Sequence, residues 1–392
     1  MSSISTVRSC TRCHEAKRKC DRATPSCQLC RRKKLECIYP SRRLSIFVPV
    51  QTAHQASSCL PPDFTPLDSE AMSNELVTTG PLPNLAPNTA APEHAITIDS
   101  RGSWFLAPET FTVDHTFMPL PPNFKISDLE DFVRFIENCL ATWITTGSNI
   151  FIHAHLYEDK FPSCLQIAFA TFSAYISRTP ATTAMILRTV NDQATALISG
   201  LEGGTSCDLV DDLAHMHALL AYQVIGLFNG DIRSRHLAEK RAAHLSKLLD
   251  RALEHASLTL NRHVSTDDIT VSLANPKSPT ELLWQSWIMS ESLRRTWLVV
   301  KGISASYDGL KQGWTPCHGD VMFTACEGFW SANSASFWAK KYADMDMRFV
   351  GRFHAEYLFD VAPEGVDEFA KVMLEAIFGR ERFMKWVCGL HC

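Results

Sequence analysis

Apolar and polar positions divide the chain near Lys125. Beyond it, apolar residues recur at i, i+3 and i+4, the period of a helix that buries one face. Ser127-Asp128-Leu129-Glu130 reads as a capping box. Leu129, Phe132, Val133, Ile136, Leu140, Trp143 and Ile144 then share a face until Gly147 stops the run. Cys164 to Ile176 repeats the pattern. Thr179-Pro180 predicts an N-cap with proline at the first helical position, opening a helix to Gly200. Asp208 opens another that ends at Asn229-Gly230, and further helices are expected over 233–257, 280–301 and 364–379. Strand-like alternation is scarce. Residues 125–390 therefore read as an all-α domain. No apolar run reaches the ~18–20 residues of a membrane span, so no membrane partner is expected.

Before Lys125 the periodicity disappears. Residues 40–122 hold 13 of the 20 prolines among many Ser, Thr and Asn, which predicts a Pro-rich linker over 38–124, largely extended or disordered. Two stretches depart from that composition. One is Ser45 to Val50. The other is Trp104-Phe105-Leu106 with Phe111, apolar enough to dock on the following domain. No heptad register runs from Arg42 to Leu76, and Pro49, Pro61, Pro62 and Pro66 would interrupt a coiled coil. Dimerisation is therefore not expected there, and a 1–75 fragment should be monomeric. Any self-association should reside in 125–390.

Residues 1–9 form a short tail, and the chemistry starts just after it. Cys10, Cys13, Cys20, Cys27, Cys30 and Cys37 spell C-x2-C-x6-C twice, separated by six residues. Structural zinc takes four ligands, usually thiolates. Six thiolates fill one such site with two to spare, or two sites if two sulfurs bridge. No histidine stands at finger spacing, and thiolate softness favours zinc over calcium or magnesium. A module holding two zinc ions is the economical reading. A single four-cysteine site would leave two thiols unexplained. A disulfide framework needs an oxidising compartment, and Met1 to Cys10 offers no apolar signal segment.

Charge sharpens this picture. Residues 1–43 carry twelve Lys+Arg against Glu15, Asp21 and Glu36, a balance of +9. The whole chain sums to −4, so residues 44–392 carry −13. A compact cationic module on an acidic body suits the phosphate backbone of double-stranded DNA. Lys17-Arg18-Lys19, Arg31-Arg32-Lys33-Lys34 and Arg42-Arg43 could also be read by nuclear import.

Residues 10–37, CTRCHEAKRKCDRATPSCQLCRRKKLEC, resemble the DNA-binding domain of the fungal binuclear zinc-cluster (Zn2Cys6) transcription factors. All six cysteines match, as do Lys17-Arg18-Lys19, Asp21 and Pro25. The resemblance implies that Cys10 and Cys27 bridge the two metals, that Lys17 contacts a base, and that CGG-like triplets are read. His14 departs from the family, which commonly has arginine there. On this reading Lys17 and Arg18 reach guanine acceptors in the major groove. Arg12, Lys19, Arg31, Arg32, Lys33 and Lys34 mainly hold phosphates. The stretches TGSNIFIH (146–153), SRTPAT (177–182), AYQVIGLFNGDIRSRHLAE (221–239) and ESLRRTWLV (291–299) are similar to the helical regulatory regions of such factors. Many of those are encoded beside secondary-metabolite gene clusters.

No catalytic residue set emerges. His153-x-His155 and His215-x-His217 have a spacing that does not share a helix face, so core or surface histidines are expected. No GxSxG, Walker A, GxGxxG or HExxH motif occurs. Trp284, Trp287 and Trp297, and the tract from Phe323 to Trp338, read as core packing. The expected protein is a nuclear, sequence-specific DNA-binding regulator and not an enzyme. Its residues 125–390 would take co-regulators or a small-molecule effector. The alternatives are a zinc-stabilised interaction adaptor, or an enzyme with an unrecognised site in the helical domain.

Overall fold

Caps and stops set the helices. In the computed structural model, residues 13, 16, 18–21, 23, 26–33, 35, 37, 100–115, 125–202, 208–265, 278–344 and 347–389 are described. The chain forms two units, Met1–Val50 and Gln51–Cys392. The first contains helix α1 (Gln28–Arg32). The second is a mostly helical body: α2 (Ile126–Thr146), α3 (Ser163–Ile176), α4 (Thr183–Glu202), α5 (Leu209–Val224), α6 (Ile232–Ser265), α7 (Pro279–Gln312), α8 (Ala335–Asp344), α9 (Glu368–Phe378) and α10 (Arg380–Val387). Short strands β1 (Met322–Thr324) and β2 (Phe349–Gly351) pair antiparallel, Met322 opposite Gly351. Among the described residues no helix is long and apolar enough to cross a membrane.

Helix α7 is the axis of the body. Ser278 and Glu281 form its capping box: Glu281 N–H donates to Ser278 Oγ (3.2 Å) and Ser278 N–H to Glu281 Oε2 (2.9 Å). Gly313, at φ +76°, stops it with a left-handed residue that a side chain would strain. Between Leu283 and Ile303 nearly every side chain is buried, as expected for a helix surrounded by others. It packs against α2, α5, α6 and α8. At Gly302 a Cβ would lie 2.8 Å from the Phe132 ring, so the α2 contact depends on a bare backbone there.

The predicted helices are present, with shifted edges. α2 starts at Ile126, and Asp128 accepts from the Lys125 N–H (2.9 Å), so the box sits two residues before Ser127. Gly147 stops it at φ +78°. Thr179-Pro180 forms a turn, with Thr183 N–H donating to Thr179 O (3.0 Å), and regular helix begins at Thr183. Asp208 caps α5 through Val210 N–H (3.0 Å), and a π-helical turn, Ile225–Asn229, closes that helix. Both strands, α8, α10 and the 3-10 segment Arg352–Asp360 are too short for periodicity to reveal. Residues 38–99 and 116–124, where the linker and the absent coiled coil were expected, lie outside the described residues.

Residues 100–115 pack onto the body. Phe105, Leu106 and Phe111 are buried, and Phe105 meets Trp338 edge to face. Asp114 and Asp320 exchange backbone hydrogen bonds of 2.8 and 2.7 Å. The Phe105 carbonyl accepts from Arg294 Nη1 (3.2 Å).

That arginine belongs to a charge cluster inside the core. Glu291, Arg294 and Arg295 are all fully buried. Glu291 Oε1 accepts from Arg295 Nε (2.9 Å) and Thr324 N–H (2.9 Å); its Oε2 accepts from Arg294 Nη2 (3.1 Å) and Thr324 Oγ1 (3.2 Å). Arg295 also donates to the carbonyls of Ile150 (3.0 Å) and Thr324 (3.2 Å) and pairs with Asp367 (3.0 Å). Burial opposes ionisation of Glu291, but both guanidiniums and the Thr324 N–H outweigh it and hold the carboxyl below its ordinary range. Removing the carboxylate would leave buried Arg294 without a counter-ion and Arg295 with Asp367 alone, a loss of about 3–5 kcal/mol.

Burial also acts on the histidines. His217 bridges Tyr157 OH (2.7 Å) and Thr296 Oγ1 (2.8 Å), and burial pushes its pKa down to about 3. His153 is likewise pushed to about 3 and His318 to about 4. The unfolded chain therefore takes up these protons first, near 6.5. The stability they lend is complete above about pH 6.5 and is lost as pH falls toward 3. Asp367, raised by burial to about 6, works oppositely, its share fading as pH rises from about 4 to 6. Three histidines outweigh one carboxyl. Urea unfolding followed by far-UV circular dichroism should show stability falling steadily from pH 6.5 to 4, less steeply in His217→Gln. A flat profile would contradict these assignments.

Candidate metal centre and nucleic-acid interface

The duplicated spacing becomes a duplicated backbone. Arg18 N–H donates to Cys13 O (2.9 Å), and Leu35 N–H donates to Cys30 O (3.0 Å), the same five-residue closure in each half. Cys27 is the N-cap of α1, with Arg31 N–H on its carbonyl (2.9 Å) and Cys30 N–H on its sulfur (3.4 Å). Asp21, just after Cys20, accepts from Gln28 N–H at 3.0 and 3.1 Å. It thereby ties the first half to the start of the helix, a role its sequence position gives no hint of. Cys27 N–H also reaches Cys37 Sγ (3.2 Å).

These constraints gather the thiols. The sulfurs of Cys13, Cys20 and Cys27 lie within 4.8 Å of one another, as do those of Cys27, Cys30 and Cys37. Cys27 belongs to both groups. Cys13 and Cys27 sulfurs are 3.7 Å apart. Zn–S bonds of about 2.3 Å in a tetrahedron give sulfur–sulfur edges of roughly 3.8 Å, so the spacing fits a shared metal. Cys13, Cys27 and Cys30 are buried, and Cys20 and Cys37 partly so. Each trio supplies three corners of a tetrahedron, and a sulfur common to both would complete them. Cys10, expected in that role, lies outside the described residues, as do Arg12, Lys17 and Lys34.

Around this centre the described cations face solvent. Arg18, Lys19, Arg31, Arg32 and Lys33 are all exposed. Arg31 and Arg32 occupy the last turn of α1, beside carbonyls that favour positive charge. The arrangement can hold two soft metal ions and present a cationic surface to phosphates. Among the described residues no histidine joins such a group: His217 is a hydrogen-bonded core residue, and His155 pairs with Glu158 (2.7 Å).

Residues 8–45 match the fungal Zn(2)-Cys(6) binuclear cluster domain, which binds two zinc ions. A domain of this kind, in a chain similar along most of its length to a transcription factor, makes the protein a DNA-binding transcriptional regulator. Along most of its length it is similar to transcription factor gsfR2 of Penicillium aethiopicum, with 26% identity over 364 residues, covering 86% of this chain and 84% of that one. No solved structure matches the chain.

The shared sulfur has a measurable consequence. Native mass spectrometry of the whole protein should find two zinc ions. Cys37→Ser, which touches one trio, should retain one, whereas Cys27→Ser, common to both, should lose both or nearly so. One zinc in the unaltered protein, or equal losses in the two variants, would contradict the shared-ligand geometry.

Proposed function

We propose that the module reads CGG-like triplets in the major groove and that the protein controls a secondary-metabolite gene cluster from the nucleus. The observation that carries the reading is the pair of thiol trios joined at Cys27 within a cationic surface. All six cysteines, Cys10, Cys13, Cys20, Cys27, Cys30 and Cys37, ligate the two ions, with Cys10 and Cys27 shared. Lys17 and Arg18 donate to guanine O6 and N7, where a cation distinguishes the base. Arg12, Lys19, Arg31, Arg32, Lys33 and Lys34 grip phosphates and set the register. The exposure of Arg18, Lys19, Arg31, Arg32 and Lys33 supports a role for them in binding DNA.

Residues 125–390 serve regulation, taking co-regulators or a small-molecule effector, and carry no catalysis. The stretches at 146–153, 177–182, 221–239 and 291–299, which resemble the regulatory regions of such factors, support both this role and the pathway. The 1–75 portion acts as a monomer on one half-site.

Binding assays on the full chain test the assignment. Lys17→Ala should cost about 1–3 kcal/mol on the specific site and relax its sequence preference. Lys33→Ala should weaken all sequences alike and lower the salt slope by about one. Equal losses on specific and random DNA for Lys17→Ala would remove the base-reading role.

A further inference from the structure

A cavity of about 530 Å³ opens in the helical body, between the C-terminal half of α2, the loop 148–155 and the start of α9. That is the size of a small-molecule site. Phe135, Ile150 and Trp330 supply apolar wall, and His153, Arg295, Glu327 and Asp367 supply the polar groups. Which ligand fits follows from how those charges are already used.

Arg295 cannot receive an anion. Its guanidinium is engaged by Glu291, Asp367 and the carbonyls of Ile150 and Thr324, and it lies 4.0 Å from the centre of the Trp330 ring. Glu368, also on the wall, is paired with Lys371 (2.6 Å). Glu327 is different. It is half-buried and makes no side-chain hydrogen bond or ion pair among the described residues. The bridge between Cys326 and Val366 places it: Asp367 N–H donates to Ala325 O (2.9 Å) and Glu327 N–H to Gly365 O (3.3 Å). Glu327 and Asp367 are therefore diagonal neighbours on one face of that ladder, a separation of roughly 7–8 Å between backbones. Summed over Glu291, Arg294, Arg295, Asp367 and Glu327, the wall and the cluster behind it carry one uncompensated negative charge when all five are ionised.

His153 adds a second requirement. It is almost fully buried, its Nδ1 accepts from His155 N–H (3.2 Å), and its Nε2 makes no hydrogen bond. Burial, then His155 and Arg295, keep the ring neutral, with the Trp330 backbone offsetting this in part. With Nδ1 accepting, the proton sits on Nε2, where the Trp330 backbone attracts it without a hydrogen bond of normal geometry, so a better-placed oxygen could take it.

We propose that this cavity binds an organic cation: an ammonium seated at Glu327 and Asp367, on an apolar body with an oxygen acceptor that lies against Trp330 and Phe135. This deepens the regulatory reading of residues 125–390 and is independent of the zinc module. An ammonium supplies the missing positive charge, and the aromatic wall buries the body to which it is attached.

Dansylcadaverine carries such an ammonium, an aromatic body and sulfonyl oxygens; its N-acetylated form keeps the body and replaces the ammonium with a neutral amide. Titrated by fluorescence into the full-length, zinc-loaded protein, the amine should bind at least tenfold more tightly than the acetylated probe. Glu327→Gln should abolish that difference. Thr142→Trp, at the exposed rim, should block both probes while circular dichroism and DNA affinity stay unchanged. Equal affinities for the two probes, no binding of the amine at millimolar concentration, an unaltered preference in Glu327→Gln, or full binding to Thr142→Trp would each overturn the proposal. Loss of DNA reading in the unaltered protein would bear on the zinc module and leave this result standing.

Discussion

One carboxylate organises the helical body. Glu291, midway along α7, is surrounded by protein and accepts five hydrogen bonds from three residues. Its two arginines then reach outward to segments distant in sequence: Arg294 to the strap at Phe105, Arg295 to the loop at Ile150, to β1 at Thr324 and to the cap of α9 at Asp367. Hydrophobic packing drives burial of α7 but has no direction. The fork geometry of two guanidiniums is directional, and it decides which loop meets which helix face. A buried ion cluster is not a source of net stability in itself, since desolvation consumes much of the Coulombic gain. Its value here is that every member is satisfied, so alternative packings would leave a charge unpaired.

The zinc module meets the same demand differently. Its 28-residue cysteine segment has little apolar surface, and its buried residues among those described are thiols. Metal–thiolate bonds replace the hydrophobic core, which is why so small a unit can hold many cations at its surface. Cys27 couples the halves as the sulfur common to both trios, and it is itself fixed by capping α1 and by its N–H on Cys37. The acidic body and the basic module divide the labour of the chain, one packing around an ion cluster and the other around ions it must acquire.

Much of this was legible in the sequence. The cysteine spacing pointed to the metal centre because ligand geometry tolerates few spacings, and the long helices declared themselves through period and caps, as at Asp208 and Gly147. The cluster at Glu291 was not legible. Charged residues in a helix read as its solvent face, and only the large apolar residues on either side of them, from Leu282 to Met289 and from Trp297 to Val300, hinted otherwise. The stretch ESLRRTWLV drew notice through resemblance, with no sign that its three charges meet in the core. The short ladder at Cys326 and Val366 was equally silent, because an isolated bridge has no periodicity. The cavity escaped for a related reason: its wall is assembled from α2, two loops and a helix start that only the ion cluster brings together.

The central claim is that this chain reads DNA sequence through a two-zinc thiolate centre. Selection from random duplex DNA by the full-length, zinc-loaded protein tests it most directly. The account predicts enrichment of a CGG-like triplet, abolished when the metal is removed by a chelator and restored by zinc. Recovery of sequences with no shared triplet, or the same enrichment from metal-free protein, would contradict it.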